Sequence, residues 1–199
     1  SLRLLITCLV GALPAHVASM TSAQGAEDAT TATVGVVRDV ILGDVVNAVA
    51  SAEGPAAVLG RLTLLAEADL ALANLESVAS SIGQRGEKEG LAPYHYRARP
   101  ETLGVLSAAG IDAVATANNH AGDYGTAALL EQGELLDRMG IADPGSGPTM
   151  AEACAPTYLD AGSGLVVAMF AADATSPESA AGTSTPGICH MPLDDLESW

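Results

Sequence analysis

Three short apolar runs, separated by segments with helical spacing, constrain the fold of this chain more than any other feature. The runs occupy residues 34–42, 68–75 and 111–117, and the helical segments between them occupy residues 45–65 and 100–109. A short apolar run bounded by polar or turn residues is typical of a buried strand. Strands that alternate with helices form layered α/β domains. The sequence therefore predicts a sheet-and-helix domain of the α/β class.

The later part of the chain adds a helix and a hairpin. Residues 126–139 have apolar side chains at helical spacing, and Gly140 follows them as a helix stop. Residues 165–171 form an apolar run that can pair with the segment around Tyr158 across the turn at 161–164. Residues 174–185 are of low complexity, so we expect them to form a loop.

Polar residues lie near the predicted carboxyl end of the strand in each of the three apolar runs. The clusters are Arg38-Asp39, Asn74-Leu75-Glu76 and Asn118-Asn119-His120. We expect the first strand to end near Val37, with the charges of the first cluster in the loop after it. The carboxyl ends of parallel strands meet at one edge of an open sheet, where ligands bind in α/β proteins. The three clusters are therefore predicted to converge on a single site.

The side chains in these clusters suit a divalent metal ion. Asp39 and Glu76 offer carboxylate oxygens, Asn74 and Asn118 offer amide oxygens, and His120 offers an imidazole nitrogen. Mixed oxygen and nitrogen sites accept manganese, iron, zinc or magnesium. Each residue also has a simpler interpretation, because such side chains often serve as caps and turns and a loop histidine is often only hydrogen-bonded. The metal hypothesis depends on all three clusters occurring together.

Four segments of the sequence resemble one family of bacterial proteins. They are VGVVRDVILG at 34–43, ADLALANLES at 68–77, AGIDAVATANNHAGDYG at 109–125 and MGIADPGSGPTMAEACAP at 139–156. The ANNH-x-x-DYG run is the most specific of these, and the similarity spans residues 34–172. On these motifs the chain is identified as a member of the capsule-synthesis CapA family, which is linked to poly-γ-glutamate biosynthesis.

The resemblance implies a calcineurin-like metallophosphoesterase fold with one or two divalent metal ions. The residues that match metal-binding positions are Asp39, Asn74, Glu76 and Asn119. His120 matches the histidine that lies near the phosphate and acts as the acid, and Asp123 lies on the same loop, where it can orient His120. The implied partners are a phosphorylated substrate or an anionic polymer, together with membrane proteins of capsule synthesis.

The sequence departs from the family pattern in two ways. Arg38 stands where the family has Gly, and a bulky cation beside Asp39 would compete with a metal ion. The histidine motifs of the superfamily's C-terminal half are absent from the sequence, and His190 matches neither of them. The chain is therefore expected to be an N-terminal portion of the domain, incomplete at its C-terminus.

These departures leave open whether the chain is itself a hydrolase. One interpretation is a capsule-synthesis protein with a metallophosphoesterase-like metal site. The alternatives are a non-catalytic component of the cell envelope, which helps to assemble or export an anionic polymer, and an inactive truncated copy.

Net charge and the N-terminal segment indicate where the protein acts. The net charge is −16, and an acidic surface repels the phosphate backbone, so nucleic acid is excluded as a partner. Arg3, a short apolar run and small residues predict a signal peptide over 1–26, followed by a linker over 27–33 and the domain over 34–199. An ordinary buried strand or helix is the alternative for the N-terminal segment. A signal peptide implies an exported protein of the cell envelope or the extracellular space.

The three cysteines leave their chemistry open. Cys8 lies in the predicted signal peptide, whereas Cys154 and Cys189 lie in the domain. The latter two can form a disulfide in an oxidising compartment or remain buried thiols, and the sequence does not choose between these states.

Overall fold

Helices and strands alternate along the chain in the computed structural model, which describes residues 4–8, 31–59, 63–87, 94–192 and 194. The strands are β1 (Leu4–Cys8), β2 (Val34–Val40), β3 (Leu70–Leu75), β4 (Val78–Ala79), β5 (Arg97–Ala98), β6 (Ala113–Ala115), β7 (Ser146–Gly147), β8 (Thr157–Asp160), β9 (Val166–Ala171) and β10 (Gly187–Ile188). The helices are α1 (Asp44–Glu53), α2 (Ala56–Leu59), α3 (Thr63–Ala66), α4 (Gly104–Ala108), α5 (Thr126–Met139) and α6 (Met150–Ala153), with 3₁₀ turns at Pro100–Leu103 and Pro177–Ser179. The predicted α/β class is confirmed.

A parallel sheet with strand order β2-β3-β6 forms the centre of the fold. β3 lies in the middle and pairs with β2, so that Val34 stands opposite Leu70. The extended segment after α5 continues the sheet beyond β6, where the Val114 amide donates to the Ala142 carbonyl at 2.8 Å. Because all these strands run in one direction, the residues that follow them meet at one edge of the sheet.

The two faces of this sheet pack against different layers. All six residues of β3 are buried, which explains why its sequence is a continuous apolar run. The face that packs against the helices contributes to a core that includes Ala71, Ala73, Leu75, Leu106 and Leu136. On the opposite face, Leu72 packs in a core with Met169 of β9 and Ile188 of β10. The central sheet therefore lies between helices and a second sheet.

The second sheet has the order β1-β9-β8. β8 and β9 are antiparallel, which confirms the predicted hairpin, and β1 pairs with β9 in the parallel direction. β1 is part of the segment predicted as a signal peptide, whereas residues 1–3 and 9–30 lie outside the described residues. The signal peptide and the domain boundaries therefore stay predictions. Within the described ranges, the structure contains no helix with the length and hydropathy to cross a membrane.

Several local predictions can be compared with the structure. α5 has both of its predicted ends, and Gly140 closes it in a left-handed conformation with a φ of 72°. The prediction that the first strand ends near Val37 is wrong, because β2 continues to Val40 through a register shift. Such a shift inserts residues without ending the strand. The calcineurin-like arrangement of the layers stays a prediction.

Cys154 and Cys189 form a disulfide. The bond joins the end of α6 to the segment that follows β10. The amide of Asp173 donates to the Cys189 carbonyl at 2.9 Å, so the disulfide also fixes the chain next to the end of β9. The sequence left open whether these two cysteines form a disulfide or remain thiols, and in the structure they form the disulfide.

Candidate functional site

Side chains from the ends of β2, β3 and β6 form one hydrogen-bonded cluster. The Nδ2 atom of Asn74 donates to Oδ1 of Asp39 at 3.0 Å and also to Oε2 of Glu76. Asn118 in turn donates from Nδ2 to Oδ1 of Asn74 at 3.1 Å and to the Leu75 carbonyl at 2.9 Å. The predicted convergence of the three polar clusters is therefore observed. We call the residues Asp39, Asn74, Glu76, Asn118, His120 and Asp123 the edge cluster.

The structure distinguishes between the two asparagines that precede His120. Asn118 is buried, and its Oδ1 accepts the backbone N–H of His120 at 3.1 Å, which holds the loop against the sheet. Asn119 is exposed. The resemblance assigns the metal-binding role to Asn119, and that role stays a prediction. The side chain that contacts the other cluster residues in the structure is that of Asn118.

His120 and Asp123 form a buried pair. Nδ1 of His120 lies 2.9 Å from Oδ2 of Asp123, and the same oxygen accepts the backbone N–H of Tyr96 at 2.7 Å. The Tyr96 ring lies on the imidazole, with 4.3 Å between the ring centroids. A carboxylate on one ring nitrogen fixes the orientation of a histidine and leaves proton exchange to the other nitrogen. The predicted role of Asp123 in orienting His120 requires such a contact between the carboxylate and Nδ1.

Glu76 lies in an electrostatic environment that disfavours its charge. Burial raises the pKa of Glu76, and the carboxylates of Asp39 and Asp173 act in the same direction. The hydrogen bond from Asn74 and the nearby His120 oppose this effect on the pKa. A cation placed near these carboxylates would favour the ionised form of Glu76, because an opposite charge stabilises a carboxylate.

Asp39 has an unusual backbone conformation. Its φ is 51°, in the left-handed region that non-glycine residues seldom adopt, at the register shift in β2. Its side chain is half-exposed, and Nη2 of Arg38 lies 3.9 Å from its Oδ2. Strained backbone of this kind often occurs at functional sites. The Arg38 guanidinium is therefore in contact with the first predicted metal ligand.

Asp173 belongs near this site, although the sequence analysis did not single it out. It is buried two residues after the end of β9, and it is close enough to raise the pKa of Glu76. Its Oδ2 accepts the amides of Thr175 at 3.0 Å and Ser176 at 2.6 Å, which holds a tight turn. The signal was present, since Asp173 follows an apolar strand just as the other clusters do.

The donor set fits a metal ion only in part. Asp39 and Glu76 present two carboxylates joined through Asn74, and carboxylates and amide oxygens are ligands for hard divalent cations. Within the part of the chain that the structure describes, no three His, Cys, Asp or Glu side chains form a group that could hold a metal ion. Water or groups outside the described residues would have to complete the coordination of a cation here.

Comparison with known proteins places the chain in a family. The family described as bacterial capsule synthesis protein PGA_cap matches residues 33–193. Two relatives from Sinorhizobium fredii are each 30% identical to the chain: the uncharacterized protein y4uA, over 78% of the chain, and the uncharacterized protein y4sH, over 66%. The chain spans 36% and 30% of the length of these relatives. The match to the family covers most of the sequence, so this chain belongs to the PGA_cap family of bacterial capsule synthesis proteins.

Proposed function

We propose that the edge cluster is part of a divalent-metal site that hydrolyses phosphoesters in capsule synthesis. Membership of the family associates the chain with capsule synthesis and therefore with the cell envelope. The observation that carries the proposal is the position of Asn74, which bonds to one exposed and one buried carboxylate at the edge of the sheet. Such an arrangement costs free energy through like-charge repulsion and desolvation, and a bound cation would offset that cost.

In this proposal Asp39 and Glu76 hold the metal ion, with amide oxygens of the asparagines as further ligands. A bound divalent cation would polarise a phosphoryl oxygen and lower the pKa of a bound water. Asn118 positions the loop that carries His120, because it bonds both to Asn74 and to the His120 amide. Asn119 lies on the same loop and is a second candidate ligand.

His120 acts as the acid in this proposal, and Asp123 is its positioning residue. Because Nδ1 of His120 is bonded to Asp123, a proton passed to the leaving group would come from Nε2. The Tyr96 ring supports the imidazole on one side. The substrate would be a phosphorylated compound or an anionic polymer, and the protein would act after export, with membrane proteins of capsule synthesis as partners.

Metal binding and turnover test the proposal together. We would measure Mn²⁺ binding by calorimetry, and hydrolysis of p-nitrophenyl phosphate, in the wild type and in Glu76→Gln. The substitution is expected to weaken Mn²⁺ binding by about tenfold or more, since it removes a charged ligand. Glu67→Gln, at an exposed position outside the cluster, is the matched control and should bind as the wild type does.

His120→Asn tests the catalytic step separately from the metal. We expect it to reduce hydrolysis by roughly a hundredfold while Mn²⁺ binding stays near the wild-type value, because general acid catalysis contributes a factor of this order. If the wild type shows no turnover with manganese, iron, zinc or magnesium, the catalytic proposal is wrong. Equal turnover in His120→Asn would remove His120 from the mechanism.

A non-catalytic role in assembling or exporting an anionic polymer is the second candidate. The contact between Arg38 and Asp39 favours it, because a guanidinium already lies beside the first predicted ligand. On this alternative, a cell that carries His120→Asn should still make its capsule polymer. Loss of the polymer through that single change would favour the catalytic role instead.

A further inference from the structure

A pocket of about 400 Å³ is lined in part by Tyr124, the residue that follows Asp123 of the edge cluster. Its walls come from α1, from the segment after β4, from β5 and from the loop before α5. The residues that matter for its chemistry are Asp44, Asn47, Ser80, Arg97, Arg99 and Tyr124. Two arginine residues therefore line one pocket of a protein whose net charge is −16.

Uncharged groups hold Arg97 in place. Its Nε donates to the Ser80 carbonyl at 3.0 Å, and its Nη2 donates to the Ile82 carbonyl. The guanidinium carbon lies 4.7 Å from the centre of the Tyr124 ring, in a cation–π contact. In the part of the chain that the structure describes, the side chain is thus fixed without a carboxylate that would neutralise its positive charge.

Uncharged groups also hold Arg99, both at its backbone and at its charged end. Its amide donates to Oδ1 of Asn47 at 3.0 Å, and its Nη1 donates to Oγ of Ser51 at 3.3 Å. Among the described residues, no carboxylate lies within ion-pair distance of Arg97 or Arg99. Of the described residues that line the pocket, Asp44 is acidic and Arg97 and Arg99 are basic, so this lining carries an excess of positive charge.

The acidic surface elsewhere does not cancel this local charge. Interactions between exposed charges are largely screened beyond about 8 Å at physiological ionic strength. An anion inside the pocket would therefore respond mainly to the two guanidinium groups, to Asp44 and to Glu131, whose carboxylate accepts a hydrogen bond from Oγ of Ser80. Arginine is also the side chain best suited to carboxylate and phosphate oxygens, because its donors lie in a planar fork.

The pocket and the His120–Asp123 pair are built on the same two segments. Tyr96 contacts His120 and Asp123, while the next residue, Arg97, contacts Tyr124, which follows Asp123. The position of the two arginines is therefore tied to that of the His120–Asp123 pair through neighbouring residues.

We propose that this pocket is an oxyanion subsite, in which Arg97 and Arg99 bind a carboxylate or phosphate group of the protein's ligand. The placement of the subsite next to the reacting centre rests on the proposed function. Binding of the anion itself does not, because it requires no metal ion and no turnover.

The test measures anion binding by calorimetry with a chelator present and with chloride keeping the ionic strength constant. Glutarate serves as the carboxylate probe and inorganic phosphate as the phosphate probe, in separate titrations. We expect saturable binding of at least one probe at one site. The probe that binds more tightly identifies which oxyanion the subsite takes.

Three variants test the assignment to the two arginines. Arg99→Gln and Arg97→Gln should each weaken binding by about tenfold, as expected for the loss of a charge-assisted hydrogen bond. Arg99 is exposed, so its substitution keeps the test valid even if Arg97→Gln fails to fold. Arg138→Gln, near the other end of α5, removes an exposed cation of the same type and should leave binding unchanged.

Two results would overturn the subsite. The first is that neither probe saturates in the wild type, and the second is that Arg99→Gln weakens binding no more than Arg138→Gln does. Either result would leave the metal-dependent hydrolysis of the proposed function untouched, because the chelator removes the metal from this assay. If the protein binds the anion but shows no turnover, the subsite stands and the catalytic part of the proposed function is wrong.

Discussion

Removal of the disulfide between Cys154 and Cys189 should destabilise the protein by an amount that its loop length predicts. The two cysteines are 35 residues apart. In the chain-entropy description, a cross-link over a loop of this length lowers the entropy of the unfolded chain enough to stabilise the fold by about 4 kcal/mol, with about 2 kcal/mol as a common lower value. We therefore expect the double variant Cys154→Ser and Cys189→Ser to lose about 2 to 4 kcal/mol.

The assay is urea unfolding followed by circular dichroism, with and without a thiol reductant. For a domain of this size, a loss of about 4 kcal/mol moves the urea midpoint by roughly 2 M. The reductant should lower the wild-type midpoint to that of the double variant and should leave the variant unchanged. Cys8 is kept in every protein, so that its thiol contributes equally to all measurements.

A midpoint that differs by less than about 0.3 M between the oxidised wild type and the double variant would refute this reasoning. The prediction also has a structural consequence, because the Cys189 carbonyl holds the Asp173 amide. Amide hydrogen exchange at Asp173 should therefore be faster in the variant. Disulfides persist in oxidising compartments, so a large stabilisation would agree with the proposed export of the protein.

Two further predictions concern charged groups. Burial, reinforced by the carboxylate of Asp137, raises the pKa of Asp143 from its ordinary value of 3.8 to about 7. Between these two pH values the folded state binds a proton at Asp143 that the unfolded state has lost, so the free energy of unfolding should fall as the pH rises through this window. In urea unfolding, Asp143→Asn should therefore be more stable than the wild type by about 1 to 2 kcal/mol at pH 8, and should differ little from it at pH 4. A stability difference that is the same at both pH values would contradict this. Nη2 of Arg38 lies 3.9 Å from Oδ2 of Asp39 and competes with a metal ion for this carboxylate. Arg38→Gly should therefore tighten Mn²⁺ binding by about fivefold or more in calorimetry, because a charge pair about 4 Å apart contributes about 1 kcal/mol even in water. Weaker Mn²⁺ binding in this variant would instead show that Arg38 supports the site.

Local sequence patterns were enough to predict both the family of the chain and its α/β fold class. The run of residues 109–125 and its neighbours identified the family, and the alternation of apolar runs with helical segments predicted the α/β class. α5 was predicted with both ends because its apolar spacing and Gly140 are local signals. The convergence of the three polar clusters followed from the direction of parallel strands, which needs no side-chain detail.

The tertiary structure decided which side chains meet. Asn118 and Asn119 are adjacent in the sequence, yet only the packing of the loop against β3 determines that Asn118 bonds to Asn74. Arg38 and Asp39 lie inside β2 because the strand continues through a register shift, which depends on its pairing with β3. Patterns of period and run length do not contain this information, since a shift of one residue reverses the direction of a side chain.

Contacts between distant parts of the chain were also beyond the sequence. Asp173 approaches Glu76 because the second sheet packs on the central one, and Tyr96 reaches His120 because the chain returns to the same edge after a loop. The pocket lined by Arg97 and Arg99 likewise combines residues of α1, of β5 and of the loop before α5. The sequence by itself thus determined the elements, the family and the edge at which the polar clusters gather. Only the tertiary structure determined the partners and charges there, because residues distant in sequence become neighbours through the packing of whole layers.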